Sequence, residues 1–251
     1  RKNMMRSVED SLRRLRTDYI DLFYLHAWDA TTPVEEVLRG LDDLVTAGKI
    51  GYVGISDTPA WQVSRMQAIA ALRGWAPLVS LQIEYSLAER TGERDLIPMA
   101  REMGLGVLPW SPLASGVLTG KYTRDDLDHQ PSGEPKGTRK DVAASQNSLT
   151  ARNLDIADVV KDVAADLGVT PAQVALAWTL TNPAITSTIV GARTTAQLEG
   201  NLQALNVDLG DKHLRRLNDI SAIDLGFPHE FLTRDLTRNV ISGGVTIAPR
   251  P

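Results

Sequence analysis

The runs YIDLFYL at residues 19–25 and IGYVGI at residues 50–55 decide the fold, together with the segment between them. Both runs are rich in aromatic and β-branched side chains, which is typical of buried strands. Residues 33–47 carry apolar side chains at spacings of three and four, and Gly48 follows where a helix C-cap is expected. Because parallel strands need a crossover of this length, the segment predicts a strand–helix–strand unit.

The alternation continues on both sides of this unit. Further strands are predicted at residues 78–83, 106–110 and 186–190, and further helices at residues 61–72, 95–103, 153–167, 171–180, 195–205 and 211–221. Near the N-terminus, Val8, Leu12 and Leu15 share one helical face. Two α/β architectures fit this pattern: an open doubly wound sheet and a (β/α)8 barrel.

The glycine pattern and the number of strands bear on the choice between these architectures. No G-x-G-x-x-G turn follows a predicted strand, which disfavours the doubly wound dinucleotide fold. The five predicted strands fall short of the eight that a closed barrel needs. For a (β/α)8 TIM barrel, the first three strand–helix units would have to precede residue 1. With the doubly wound fold disfavoured, we predict one domain, residues 1–251, that is an N-terminally incomplete (β/α)8 TIM barrel. Residues 123–150 predict a long functional loop, and residues 222–251 predict a tail.

The composition excludes several classes of function. The formal net charge of −4 disfavours a nucleic-acid binder, which needs a basic face. The sequence has no cysteine, so disulfides, thiol nucleophiles and cysteine metal sites are excluded, and we predict no metal site. It has no apolar run of membrane-spanning length and no apolar core of a signal peptide near residue 1. We predict a cytoplasmic protein with no membrane or nucleic-acid partner.

Polar and aromatic residues follow the predicted strands, at the ends where barrel enzymes place their chemistry. They are His26 after the first strand, Ser56 and Asp57 at the second, Gln82 at the third, Trp110 and Ser111 at the fourth, and Arg193 after the fifth. These side chains would converge on one mouth. A neutral His26 could hydrogen-bond a carbonyl oxygen, while Ser56 and Gln82 could orient an amide.

Each of these features also has a purely structural interpretation. His26 could pack under its loop, Ser56 and Gln82 could cap loops, and Trp110 could fill the barrel rim rather than stack on a ligand. Residues 191–201 combine a turn, an arginine and a helix start, which favours an anion site but also fits an ordinary turn. Lys121 could supply a second positive charge to a diphosphate, or it could be an ordinary solvated lysine.

Five segments in order resemble the aldo-keto reductases. They are DYIDLFYLH (18–26), GKIGYVGIS (48–56), QIEY (82–85), WSPLASGVLTGKY (110–122) and GARTTAQLEGN (191–201). Their order and spacing cover almost the whole chain, and the likeness is to the bacterial branch shared with the potassium-channel beta subunits. The resemblance implies an eight-stranded barrel that binds NADP(H) in an extended pose.

The resemblance also implies a role for each matching residue. His26 is placed as the catalytic histidine, Ser56 and Gln82 as ligands of the nicotinamide carboxamide, and Trp110 as the ring that stacks on the nicotinamide. The diphosphate clamp comprises Ser111, Leu113, Ser115 and Lys121, and the adenosine and 2′-phosphate site comprises Arg193, Gln197 and Asn201.

Two positions depart from the family pattern. Asp57 replaces an asparagine of the cofactor-binding set, and an ionised carboxylate accepts hydrogen bonds but does not donate them. Gly200 stands where relatives often have glutamate, so an adenine contact would be absent. The preference for NADP(H) over NAD(H) rests on Arg193, whose guanidinium suits a 2′-phosphate.

The implied activity is the reduction of a small-molecule aldehyde or ketone to an alcohol. The family's proton-donating tyrosine, with its lysine and aspartate, precedes the histidine strand, so we expect those three residues to lie before residue 1. An alternative is an NADP(H)-binding regulatory or sensor subunit with little turnover. A phosphate-binding isomerase barrel would explain residues 191–201 but not Trp110, Gln82 and Ser56 together. Neither the substrate nor the oligomeric state is encoded in a recognisable motif.

Overall fold

Four parallel strands form the centre of the computed structural model, which describes residues 1–128, 138–243 and 245. The strands are β1 (Ile20–Leu25), β2 (Ile50–Ser56), β3 (Leu78–Glu84) and β4 (Gly106–Trp110), and they are hydrogen-bonded in the order β1-β2-β3-β4. All three strand pairs are parallel. The predicted α/β class with a parallel sheet is confirmed.

Helices occupy the connections between strands and most of the chain after β4. They are α1 (Lys2–Leu15), α2 (Val34–Thr46), α3 (Ala60–Arg73), α4 (Leu96–Glu102), α5 (Arg139–Ser145), α6 (Ala151–Leu167), α7 (Pro171–Leu180), α8 (Thr195–Leu202), α9 (Asp211–Ser221), α10 (His229–Thr233) and α11 (Asp235–Ser242). Short 3-10 helices span Thr91–Glu93, Ala114–Thr119, Arg124–Asp126 and Gln203–Asn206. The predicted helices are all present, although residues 203–205 belong to a 3-10 turn.

The three apolar residues predicted to share one helical face all lie in α1, but they differ in burial. Val8 and Leu12 are buried, but the Leu15 side chain is 64% exposed. Leu15 is the last residue of α1, and Arg16 follows in the left-handed conformation with φ 57°. Leu15 therefore occupies the last position of the helix, beyond the buried part of its apolar face.

The predicted fifth strand at residues 186–190 is also wrong. This segment runs beside β4 with one isolated parallel bridge, Val107 to Ile185, and two backbone hydrogen bonds. The N–H of Thr186 donates to the Val107 carbonyl, and the N–H of Ile189 donates to the Pro109 carbonyl, each at 2.9 Å. The bonds are two residues apart on β4 but three apart on the neighbouring segment, so the register slips. Pro109 has no N–H to continue the ladder.

The predicted loop and tail contain short helices within their described parts. Residues 123–150 include the 3-10 turn Arg124–Asp126 and helix α5, and residues 129–137 of that loop lie outside the described residues. The tail at residues 222–251 includes α10 and α11, and residue 244 and residues 246–251 lie outside the described residues. In the described part of the chain, no single helix has the length and apolarity to cross a membrane; α6 and α7 pass that test only jointly, across a 98° bend.

One face of the sheet contributes to the main hydrophobic core. Ile55, Leu81 and Val107 are neighbours in register across β2, β3 and β4, and each is fully buried. They belong to one cluster with the apolar sides of the surrounding helices, including Leu38 and Leu41 of α2. Each such side chain contributes about 1.5–3 kcal/mol to folding by leaving water. This core fixes the strands whose ends carry the candidate site.

The opposite face of the sheet carries the polar residues in layers. Tyr24, Gly54, Ser80 and Gly106 are neighbours in register across all four strands. The Tyr24 hydroxyl shares a 2.5 Å hydrogen bond with Ser80 Oγ, and Ser80 Oγ donates to the Gly106 carbonyl at 3.0 Å. Because side chains alternate along a strand, positions two residues further on lie on the same face, nearer the carboxyl ends of the strands.

Candidate functional site

A cleft of about 570 Å³ opens at the carboxyl end of β4. Its walls come from the turn after β4, the end of α5, and the segment that leads into α8. The residues that line it are Trp110, Ser111, Pro112, Leu113, Ser115, Gly116, Thr119, Lys121, Gln146, Ala172, Ile189, Val190, Gly191, Ala192, Arg193, Gln197 and Asn201. Eight of the predicted cofactor-binding residues therefore share one cavity.

The cleft carries positive charge. Lys121 and Arg193 both line it, and among the described residues its lining includes no aspartate or glutamate. A concave surface of one sign concentrates ions of the opposite sign, and its low-dielectric walls strengthen the field. The cleft therefore suits an anionic ligand, even though the whole chain has a net charge of −4.

The turn after β4 has an unusual backbone. Ser111, Ala114 and Ser115 have φ of 53°, 47° and 54°, values in the left-handed region that residues with a Cβ seldom adopt. Gly116 follows with φ 92°, and a Cβ on it would lie 2.8 Å from Lys121 Nζ. Only glycine therefore lets the ammonium group of Lys121 approach the turn so closely. Strained turns of this kind are enriched at ligand sites.

Ser115 and Gln146 join the turn to the end of α5. Ser115 is 9% exposed, and its hydroxyl donates to Gln146 Oε1 at 2.5 Å. Gln146 also lines the cleft, although the sequence analysis did not identify it. It lies in the polar segment at residues 123–150, and no motif distinguishes it there. The only signal was that the predicted loop was long enough to be functional.

The turn into α8 is held by its own side chains. Thr194 Oγ1 accepts from the Gln197 N–H at 3.2 Å, and Gln197 Oε1 accepts from the Arg193 N–H at 2.9 Å. The Asn201 side-chain amide donates to the Gly191 carbonyl at 3.5 Å. In this structure Gln197 and Asn201 therefore stabilise the turn, and Arg193 projects into solvent at the edge of the cleft.

Trp110 and Asp57 are connected at the mouth of the cleft. The Trp110 indole N–H donates to Asp57 Oδ1 at 3.1 Å. Asp57 has φ 43°, and its backbone N–H donates to the Gln82 carbonyl at 3.4 Å. This hydrogen bond attaches Asp57 to a wall of the cleft, although Asp57 itself is not part of the lining.

Ser56, Gln82 and His26 lie outside the cleft lining. Ser56 and Gln82 are neighbours in register on β2 and β3. Ser56 is 1% exposed, and its Oγ has no hydrogen-bond partner within the described part of the chain, so it is a buried hydroxyl with free capacity. His26 follows β1 directly and is exposed. The structure thus gathers the predicted anion-binding residues, and places the predicted catalytic histidine two strands away from Gln82.

Glu84 was not selected as a site residue by the sequence analysis. It is the last residue of β3 and pairs in register with Trp110. Burial raises the pKa of Glu84 above its ordinary value, and the negative charges of Glu89 and Asp57 raise it further. A carboxyl with a raised pKa at a strand end is typical of functional sites. Its signal in the sequence was its place after Gln82 in the QIEY motif.

Comparison with known proteins agrees with this combination of parallel sheet and cleft. The model of the Aldo/keto reductase family matches residues 1–222. The chain therefore belongs to the aldo/keto reductase family, and the predicted family resemblance is confirmed.

Several characterised and uncharacterised proteins are similar to the chain. An uncharacterized oxidoreductase, YrpG, of Bacillus subtilis is 39% identical over 215 residues, covering 86% of this chain and 62% of its own length. An aryl-alcohol dehydrogenase [NADP(+)] of Phanerodontia chrysosporium is 37% identical, covering 91% of this chain and 58% of its own. Norsolorinic acid reductase A of Aspergillus parasiticus is 34% identical, covering 95% and 58%. The chain thus spans about six tenths of the length of these relatives.

Proposed function

We propose that this protein is an NADP(H)-dependent oxidoreductase that reduces aldehydes or ketones to alcohols. The observation that carries the proposal is the cleft at the end of β4, where Lys121 and Arg193 stand among eight predicted cofactor-binding residues. Family membership supports the same activity. We further propose that the four parallel strands belong to a (β/α)8 barrel, whose strand ends form one active-site mouth.

The residues that line the cleft have side chains that suit the different parts of NADP(H). Lys121 and the turn at residues 111–116 suit the diphosphate, because Gly116 leaves the ammonium group close to the backbone. Arg193 suits the 2′-phosphate, since a guanidinium binds phosphate oxygens in pairs. Trp110 would stack on the nicotinamide ring. The remaining proposed contacts come from Ser111, Leu113, Ser115, Gln197 and Asn201.

The nicotinamide end would be held outside the cleft proper. Ser56 Oγ has unused hydrogen-bonding capacity, and Gln82 is its neighbour in register, so the pair suits a carboxamide. Using Ser56 requires a small local movement, because its hydroxyl is buried. NADP(H), when bound, would supply the hydride to the carbonyl carbon, and the family's tyrosine upstream of the histidine strand would supply the proton to the oxygen. His26, as a neutral imidazole, would hold the substrate carbonyl by a hydrogen bond.

The names of two relatives support a carbonyl substrate. One is an aryl-alcohol dehydrogenase named with NADP(+), and the other is a norsolorinic acid reductase. The first name describes the oxidation of an alcohol, and the second describes a reduction. We therefore propose a small-molecule carbonyl compound as the substrate of this protein, and an aromatic aldehyde as the first compound to test.

The test of this function is NADPH oxidation in the presence of an aromatic aldehyde. In a chain that carries the family's proton-donating tyrosine upstream of β1, we expect the NADPH absorbance to fall in step with alcohol formation, and we expect His26→Ala to lose turnover while still binding NADPH. The matched control is His213→Ala. His213 lies in α9, outside the cleft lining. NADPH binding without alcohol formation in that chain would favour the regulatory or sensor function, and no binding would contradict both functions.

A further inference from the structure

The bond between Trp110 and Asp57 links two strands that do not touch in the sheet. Trp110 ends β4 and Asp57 follows β2, with β3 between them. Neighbouring strands lie about 4.8 Å apart, so the bond crosses about 10 Å of sheet. The Trp110 and Asp57 side chains cover this distance together, joined by the hydrogen bond of 3.1 Å from the indole N–H to Asp57 Oδ1. The ring therefore lies across the end of β3.

The backbones at both ends of this bond are anchored to β3 and the residue that follows it. The Asp57 N–H donates to the Gln82 carbonyl at 3.4 Å, and the Tyr85 N–H donates to the Trp110 carbonyl at 3.3 Å. Aspartate tolerates the left-handed conformation of residue 57 better than most side chains. With both backbones fixed, the side-chain bond determines how the indole can rotate.

The chemistry of the two groups makes the orientation unambiguous. An indole has one hydrogen-bond donor and no acceptor, and an ionised carboxylate has only acceptors. An asparagine at residue 57 could present either its oxygen or its NH2 group to the ring, and only the oxygen would bond. A carboxylate presents an acceptor in either rotation. Asp57 is therefore better suited to hold an indole N–H than to donate to an amide oxygen.

We infer that Asp57 is a positioning residue that sets the angle of the Trp110 ring, rather than a direct ligand of the cofactor. This inference rests on the proposed function, in which the Trp110 ring stacks on the nicotinamide. Asp57 then acts on the cofactor through the indole: a fixed ring offers a ready stacking surface, whereas a rotating ring must be ordered when the cofactor binds.

The first test observes the hydrogen bond without any cofactor. The chain has five tryptophans, and Trp110→Phe identifies the indole resonance of Trp110 in a ¹⁵N NMR spectrum. In Asp57→Ala we expect that resonance to move and its proton to exchange with water about ten times faster, because a charge-assisted bond is lost. Asp57→Asn should restore part of the protection. A Trp110 resonance that is the same in Asp57→Ala and the unmodified chain would overturn the inference.

The second test measures what the ring angle does for the cofactor. In Asp57→Ala we expect NADPH and NADH affinity to fall by the same factor, about three- to ten-fold, since both share the nicotinamide. Asp57→Asn should lie nearer to the unmodified chain. Unchanged affinity in Asp57→Ala would overturn the positioning role. If the unmodified chain binds neither cofactor while the Trp110 resonance still responds to Asp57→Ala, the proposed function fails and the hydrogen bond stands.

Discussion

Two single residues, Lys121 and Arg193, give the cleft its positive charge. Both were selected from the sequence because of their positions in motifs, and both line one cavity in the structure. Their roles toward a cofactor stay predictions. Asp57 was predicted to bind the cofactor, and in the structure its carboxylate accepts a hydrogen bond from the Trp110 indole. Local sequence could not indicate this, because the partner lies 53 positions away on another strand.

Glu84 provides a test of the electrostatics beside Trp110. Burial, followed by the charges of Glu89 and Asp57, raises the pKa of Glu84 above its ordinary value of 4.5. The folded state therefore holds the proton more tightly than the unfolded state does. Ionised Glu84 then costs stability, and this cost is absent well below pH 4.5 and grows as the pH rises through the folded-state pKa.

Replacing Glu84 with glutamine removes the ionisable group and should remove the cost. We expect Glu84→Gln to raise the urea midpoint of unfolding at about pH 7 and to have little effect at about pH 4. Glu102→Gln, at an exposed position of α4, is the control and should change neither midpoint. An equal gain at both pH values would show that charge is not the cause.

The strands and helices follow closely from periodicity in the sequence. Four of the five predicted strands are present, and their short apolar runs bounded by turns are typical of buried parallel strands. The segment at residues 186–190 fails for a reason that lies in its neighbour: Pro109 of β4 has no N–H, and the register slips beside it. The sequence of residues 186–190 alone gives no information about a missing N–H in the neighbouring strand.

The substitution Gly54→Ala tests how tightly side chains pack on the polar face of the sheet. A Cβ at residue 54 would lie 2.4 Å from Cε1 of Tyr24, so the ring, whose hydroxyl bonds to Ser80, must move. We expect Gly54→Ala to destabilise the fold by about 1–3 kcal/mol, measured by urea unfolding. Tyr24→Phe loses the hydrogen bond alone and should cost about 1 kcal/mol.

Gly200→Ala is the matched control for this substitution. A Cβ at Gly200 meets no atom within 4 Å, and the residue lies inside α8. Alanine is the better helix former, so we expect a gain of about 0.5–1 kcal/mol. If Gly54→Ala is as well tolerated as Gly200→Ala, the packing of Tyr24 over β2 is not a constraint on this face.

On the scale of the whole molecule, the sequence predicted the fold class and most of the cleft's polar residues, but it did not predict how the helices pack around the cleft. The segments at residues 110–121 and 191–201 are far apart in the chain, and family motifs alone indicated that they meet. Gln146 was missed because it joins the cleft through the packing of α5 against the turn at Ser115. Such contacts depend on tertiary packing, which periodicity does not encode.

The exposure of His26 is likewise a property of the whole molecule. The motif DYIDLFYLH predicts its place at a strand end, and the structure has it directly after β1. β1 pairs with β2 alone among the described strands, so it forms an edge of the sheet and leaves His26 open to solvent. The environment of His26 depends on what packs against this edge of the sheet. The local sequence around residue 26 does not specify that packing.

The central claim is that the cleft binds NADP(H) with Arg193 at the 2′-phosphate. The most direct test titrates NADPH and NADH into the unmodified chain, Arg193→Ala and Arg215→Ala, following tryptophan fluorescence. Arg215 is an exposed arginine of α9 outside the cleft lining, and its replacement should change neither affinity. For Arg193→Ala, we predict that NADPH affinity falls about ten- to a hundred-fold while NADH affinity is preserved, because only NADPH carries the 2′-phosphate. Equal losses for both cofactors, or no binding by the unmodified chain, would contradict the assignment.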